Sequence, residues 1–325
     1  MSGNDMSRRE FLNNAGKAAI VGAVALGAGY GAAQPANVGA GASRVVRVCR
    51  ASSLSDGKPQ AEVVRRMVNA AVEKLSGKRG ADAWRAYFRP EDIVGVKINC
   101  LFGIGASTRQ EVTEAVVAGI RTAGVKPDNI IVWDRDEGSL LKAGYTINRG
   151  AGVKCQGTDW AQDTVTSGVI TGRLATVLYG VTALVNVPVL KHHAASGISL
   201  AMKNHYGSLS NPGAAHGNNC DPYIADLNLV PLIRDKQRLI IADALRPIAD
   251  GGPTAQPAHT WDYGAILAAT DPVAIDQIGL TILDTRRAEK GLSSIEKSGL
   301  AKHIATAARK GLGTNDMGWI EVVEA

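Results

Sequence analysis

The sequence predicts an α/β fold: a mostly parallel sheet with helices on both faces and a ligand crevice at the carboxyl ends of the strands. Three observations predict it. Short β-branched runs alternate with amphipathic helical stretches, the signature of βαβ units. One complete strand–helix–strand crossover can be read between residues 93 and 134. Polar residues also recur just where strands are expected to stop.

The chain begins with a segment set apart from that fold. Ser7-Arg8-Arg9-Glu10-Phe11-Leu12 matches a twin-arginine export signal, followed by an Ala/Gly-rich apolar stretch at 18–33. That stretch is too mildly hydrophobic for a membrane span, which needs about 20 strongly apolar residues. Cleavage is expected after Ala40-Gly41-Ala42, with Gly31-Ala32-Ala33 as the earlier alternative. Residues 1–42 therefore read as signal peptide and tether, and 43–325 as a single α/β domain with 150–180 as a candidate insertion. The expected address is periplasmic or extracytoplasmic, with the twin-arginine translocase as partner during export and no membrane span after cleavage. Because that route carries folded proteins, it favours a bound metal or redox group.

The elements follow in order. A strand at 45–48 leads into a helix at 61–75, with Val63, Val64, Met67, Val68, Ala71, Val72 and Leu75 at helical spacing. A strand at 93–99 ends in a polar residue. A helix at 109–123 follows, stopped by Gly124, and a strand at 130–133 ends at Asp134. Short strands are expected within 153–155 and 165–178. The run 183–190 is a strand broken by Pro188, hence an edge or a bulge, and a helix is expected at 196–206. A polar Gly/Asn/Pro-rich loop fills 208–222, before a helix at 223–233 and a buried strand at 238–243. A strand at 265–269, helices at 273–283 and 294–309, and a strand at 319–323 complete the chain.

Composition narrows the function. A net charge of +6 is mild for 325 residues, and the basic residues are scattered rather than striped with aromatics, which argues against nucleic acid. Cys49, Cys100, Cys155 and Cys220 are far apart. Cluster and zinc-ribbon sites use close pairs, so an iron–sulfur cluster is not expected. The four could be free thiols or one or two disulfides.

Three constellations carry candidate chemistry. Lys97, Asn99, Asp134, Lys191, His192, His193, Asp243 and Asp271 all fall at expected strand ends, where parallel sheets bind ligands. In the long loop, His216, Cys220 and Asp221 offer imidazole, thiolate and carboxylate donors for zinc, iron, copper or nickel. Lys191 and Lys203, with Asn204 and Arg246, could hold a carboxylate or phosphate. His192, His193, Lys191 and Asp243 are then the candidate catalytic groups. Lys97, Asn99, Lys203, Asn204, Arg246 and Asp271 are the candidate substrate contacts. The expected test variant, Lys203→Ala, assumes a solvated lysine that folding does not need.

These residues resemble a known family, the bacterial and archaeal proteins of domain of unknown function 362. The resemblance is carried by Val94-Gly-Val-Lys97-Ile-Asn99, Val187-Pro-Val-Leu-Lys191-His192 and Leu200-Ala-Met-Lys203-Asn204. It continues through Cys220-Asp-Pro-Tyr-Ile-Ala-Asp-Leu-Asn228, Ile241-Ala-Asp243-Ala and Thr270-Asp271-Pro-Val-Ala-Ile-Asp276. Some relatives carry an added ferredoxin-like segment with paired cysteines, which this chain lacks. The resemblance implies a fold and the place of a site, not a reaction. Ser107-Thr108-Arg109, opening a helix that leads into a strand, is also similar to the lactate-racemase-like group. Those enzymes set lysine and histidines around a nickel-bearing cofactor.

Three functions fit the sequence. The first is an exported enzyme acting on a small anionic substrate with a bound metal or cofactor. The second is a non-catalytic protein that captures metal or anion in the same crevice. The third is an accessory partner of an exported redox complex.

Overall fold

The computed structural model describes residues 42–325, so the export motif lies outside the described residues. Strand β1 (Ser43–Cys49) opens the chain, and helices α1 (Ala61–Ser76) and α2 (Gly80–Arg85) follow. The crossover expected between 93 and 134 is present as β2 (Val94–Lys97), α3 (Gln110–Thr122) and β3 (Ile130–Trp133). Then come α4 (Glu137–Lys142), β4 (Lys154–Gln156), the hairpin β5 (Trp160–Ser167) and β6 (Ile170–Ala175), and α5 (Val177–Gly180). The second half runs β7 (Ala183–Asn186), β8 (Val189–His193), β9 (Gly197–Ser199), α6 (Ala201–Asn204), α7 (Tyr223–Asn228) and α8 (Pro231–Arg234). It ends with β10 (Gln237–Ile248), β11 (Ala265–Ala269), α9 (Pro272–Glu289), α10 (Lys302–Arg309) and β12 (Ile320–Glu324).

Ten strands form one sheet in the order β12-β1-β11-β10-β7-β2-β3-β4, with β8 paired to β10 and β9 to β8. From β4 to β10 every neighbour is parallel, and β11 runs against both β10 and β1. The fold is thus α/β with a mostly parallel sheet. Both faces are covered, which is why the central strands read as nearly unbroken apolar runs. Alternate residues of β10 serve different cores: Leu239 and Ile241 pack under α1 and α3, while Ile240 and Ala242 pack under α9 and α7.

The helices follow from local chemistry. The Val64, Met67, Val68, Ala71 and Val72 stripe buries α1 on the sheet, and Gly77 stops it in the left-handed conformation at φ 69°. Burying each of the larger of these side chains contributes about 1.5–3 kcal/mol. Helix α9 starts at Pro272, capped by Asp271, whose carboxylate accepts from Val273 N and Ala274 N.

Several expectations are corrected. Pro188 breaks the run 183–190 as expected, and the register just after it shifts between Val189 and Lys191, but the break does not lie at a sheet edge. Pro188 separates β7 from β8, both of which pair with the long β10, and its carbonyl still accepts from Asp243 N at 2.8 Å. The helix expected at 196–206 begins instead as β9, which folds back on β8 with Lys191 opposite Ser199. Gly197, at φ +75°, makes that reversal without strain, leaving four residues of helix in α6. The helix expected at 294–309 is present only as Lys302–Arg309. Among the described residues no helix is long and apolar enough to cross a membrane.

Candidate functional site

A cavity of about 300 Å³ opens at the carboxyl ends of β2 and β3, bounded on one side by β8 and α6. Seven of the expected site residues line it: Lys97, Asn99, Lys191, His193, Lys203, Asn204 and His216. They come from four separated stretches of chain, brought together because β2, β3, β7 and β10 point the same way.

Strand alternation decides which part of Lys191-His192-His193 belongs to the site. Lys191 and His193 share one face and line the cavity, whereas His192 faces the other side. There its Nε2 lies 3.9 Å from Asp250, which Arg287 also holds. His192 therefore does not line this cavity.

The three lysines are all buried but differently partnered. Lys97 donates to Asp134 at 2.7 Å and to the Ile98 carbonyl, and Asp134 is further saturated by the backbone N–H groups of Cys100 and Arg135. Lys191 donates to Asn99 Oδ1 at 2.8 Å and to the Ala106 carbonyl at 2.7 Å, with the Phe102 ring 5.7 Å away. Lys203 lies 3.5 Å from the Tyr206 ring centroid and 3.2 Å from His216 Nε2. Neither Lys191 nor Lys203 forms an ion pair among the described residues. Burial pulls the Lys191 ammonium down to about 7 and Lys203 down to about 8, since the charged form is desolvated. Lys203 is 6% exposed, which overturns its reading as a solvated lysine.

Burial favours the neutral form of the two cavity histidines, His193 and His216, and their tautomers follow from their partners. The backbone N–H groups of Ala195 and Ser196 both donate to His193 Nδ1, so its proton sits on Nε2. Burial, then the Lys203 charge, pulls His193 down to about 2. His216 Nδ1 donates to the Pro212 carbonyl at 2.7 Å, leaving Nε2 as the acceptor facing Lys203. The two rings stack with centroids 5.7 Å apart.

A buried amide network holds the floor rigid. Asn204 Nδ2 donates to Asn186 Oδ1 and to the Lys97 carbonyl, while its Oδ1 accepts from Asn99 Nδ2. Asn186 in turn donates to Gln237 Oε1 and the Ala201 carbonyl, and Gln237 Oε1 also meets His205 Nε2. Asp276, on α9, accepts from the N–H groups of Ala201 and Met202 and so anchors the segment that carries Lys203. Burial pushes its carboxyl up to about 8.

The remaining expected residues stand elsewhere. Asp243 is fully buried, accepts from the Arg109 guanidinium at 2.9 Å and from Arg109 N and Leu245 N, and fixes the start of α3. Arg246 pairs with Asp262 on the surface at 2.6 Å. Asp271 sits at the opposite end of the sheet, because β11 runs antiparallel to its neighbours. It caps α9 and also accepts from Ser43 Oγ and Thr314 N. Cys220 is buried against Tyr206, and burial pushes its thiol up. His216 lines the cavity, with Nδ1 on the Pro212 carbonyl and Nε2 facing Lys203, whereas Cys220 and Asp221 do not line it. No three His, Cys, Asp or Glu side chains among the described residues are arranged to hold a metal ion. All four cysteines are free, with Cys49 exposed and Cys100 and Cys220 buried.

Asp134, expected at a strand end beside Lys97, also lines the cavity, and Arg135, Leu101, Phe102, Tyr206 and Ser199 line it without having been expected there. Asp134 serves there as the counter-charge to Lys97, since both end adjacent strands. Phe102 and Tyr206 carry no local signal of that kind.

No curated protein matches the chain. A crystal structure of a protein from Thermotoga maritima is similar at 10% identity and a TM-score of 0.42, covering 79% of this chain and 60% of that one. The chain thus spans about 60% of that protein's length. The family described as domain of unknown function (DUF362) matches residues 94–281, the stretch that supplies nearly the whole cavity wall, and this protein belongs to that family.

Proposed function

We propose that this protein is exported and captures a small anionic ligand in the lysine-lined cavity, where Lys191 acts on it as base or nucleophile. One observation carries the reading: Lys191 and Lys203 are buried together without a carboxylate partner. A buried cation is costly unless paired, and a pair is the usual arrangement in a folded interior. Lys97, in the same wall, has its partner in Asp134. The two unmatched ammonium groups, joined by Arg135 at the wall, call for negative charge from outside.

The chemistry follows from protonation. An amine whose ammonium form is held near neutral pH is available in both states, as general bases and nucleophilic lysines require. His193, with Nδ1 spent on two backbone amides, offers Nε2–H as a donor to the bound anion. Asn99 and Asn204 orient Lys191 and Lys97. The twin-arginine motif supports an extracytoplasmic address. A protein with Arg8→Lys and Arg9→Lys is expected to accumulate as precursor, and undiminished exported protein would remove that part of the reading.

The test of the site is calorimetric titration with sulfate and with inorganic phosphate at pH 6.5. Saturable binding is expected, weakened tenfold or more by Lys203→Met and by Lys191→Met, about 1.4 kcal/mol each at the least. Wild-type protein that binds neither anion would end the reading. Turnover of a bound carboxylate or phosphate compound separates an enzyme from a capture protein.

A further inference from the structure

The cavity is graded in polarity along its depth. At its floor lie Lys97, Lys191, Lys203 and Asn204, each no more than 6% exposed. At its mouth lie Leu101 and Phe102, which line the same cavity yet are 50% and 40% exposed. Pro212 and Pro253, from two other segments, also line the cavity. Ile104, on the loop with Leu101 and Phe102, is the most exposed large apolar residue described, at 71%. Single exposed apolar side chains need no explanation, but three on one loop, two of them walling a charged cavity, do.

The loops that carry this rim are in contact. A Cβ placed on Gly105 would lie 2.9 Å from Ala255 Cβ, so the 101–106 loop abuts the loop that carries Pro253. Lys191 ties the first of these down from below through the Ala106 carbonyl. The rim is therefore built onto the charged floor rather than being a separate patch. Size points the same way. A volume of about 300 Å³ is the share of roughly ten liquid waters, far more than one sulfate or carboxylate head needs.

We infer that the ligand of this site is a soluble amphiphilic anion, its charged head held between Lys191 and Lys203 and a short apolar substituent lying on Leu101 and Phe102. This rests on the anion reading above and narrows its ligand class. The rim is one short loop, in a cavity that two prolines also line, which fits a substituent of a few carbons rather than a long acyl chain.

The test is an alkyl sulfate series, methyl, butyl and hexyl, titrated into the full chain by calorimetry. Each methylene that leaves water is worth about fourfold in affinity. Affinity is expected to climb steeply from methyl to butyl and to level off towards hexyl. The slope should flatten in a Leu101→Ser/Phe102→Ser variant, whatever happens to the methyl sulfate value. Butanol, which lacks the head, should not bind measurably. Methyl sulfate binding with no gain to butyl would overturn the amphiphile and leave the anion reading standing. A slope retained in the double variant would remove the rim from the account. Retention of the protein on phosphatidylglycerol vesicles would contradict the soluble source, and failure of methyl sulfate itself to bind would overturn both readings.

Discussion

The two ends of the sheet contain the same kinds of groups and use them differently. At one end Asp271 is buried at the close of a strand, as Lys97, Asp134 and Lys191 are at the other. Every acceptor on Asp271 is taken by the scaffold: two amides of α9, Ser43 and Thr314. At the cavity end, buried cations outnumber buried carboxylates, and Lys191 and Lys203 are held by neutral acceptors and ring faces alone. A polar residue at a strand end is thus weak evidence of a site. Charge the scaffold leaves unmatched is stronger evidence.

The largest expected effect lies in the matched pair. Lys97→Met leaves Asp134 buried and uncompensated, and should cost about 3–5 kcal/mol in denaturant unfolding. A cost under 1 kcal/mol would show that Asp134 does not depend on that lysine. At the other end, Asp271→Ala removes a helix cap and strands buried donors, for about 2–3 kcal/mol. It should leave sulfate affinity unchanged, and an affinity loss in folded Asp271→Ala protein would break the distinction between the two ends.

The unmatched lysines should give an effect of the opposite kind, one that depends on pH. Burial lowers Lys191 from its ordinary 10.5 to about 7. The folded state therefore binds fewer protons than the unfolded state between those values, so this group's contribution to stability rises with pH across that window. Its cost is fully present below about pH 7. Lys191→Met, which removes it, should gain on wild type as pH falls from 9 to 7, by on the order of 2 kcal/mol. Comparing the two proteins cancels Asp276, whose raised carboxyl acts in the opposite sense. A stability difference that stays flat from pH 7 to 9 would contradict the unmatched state of Lys191. The smallest effect concerns the thiols. A maleimide should label Cys49 in the native protein, and Cys100 and Cys220 only after unfolding.

Much of the fold was legible because period-2 and period-3.6 patterns are local. The crossover through α3 and the buried strand β10 could be read residue by residue. What failed was set by tertiary context. The direction of β11 decides where Asp271 lies, and no local pattern encodes direction. The segment 196–206 is apolar enough for a helix, but pairing with β8 takes its first residues. The site was half legible. Lys191, Lys203, Asn99 and His193 were found from strand ends and clustering. His192 could have been placed outside the cavity by alternation alone, since neighbours on a strand point to opposite faces. Asp243 could not, because only the folded chain shows that Arg109 already holds it.

The central claim, that Lys191 and Lys203 await an external anion, is most directly tested by proton uptake. Sulfate should be titrated into the protein at pH 8 in two buffers of different ionisation enthalpy. An anion between the two lysines stabilises their charged forms, so binding should draw in about one proton at pH 8 and far fewer at pH 6. Sulfate binding with no proton uptake at pH 8, or with equal affinity in the Lys191→Met/Lys203→Met protein, would contradict it.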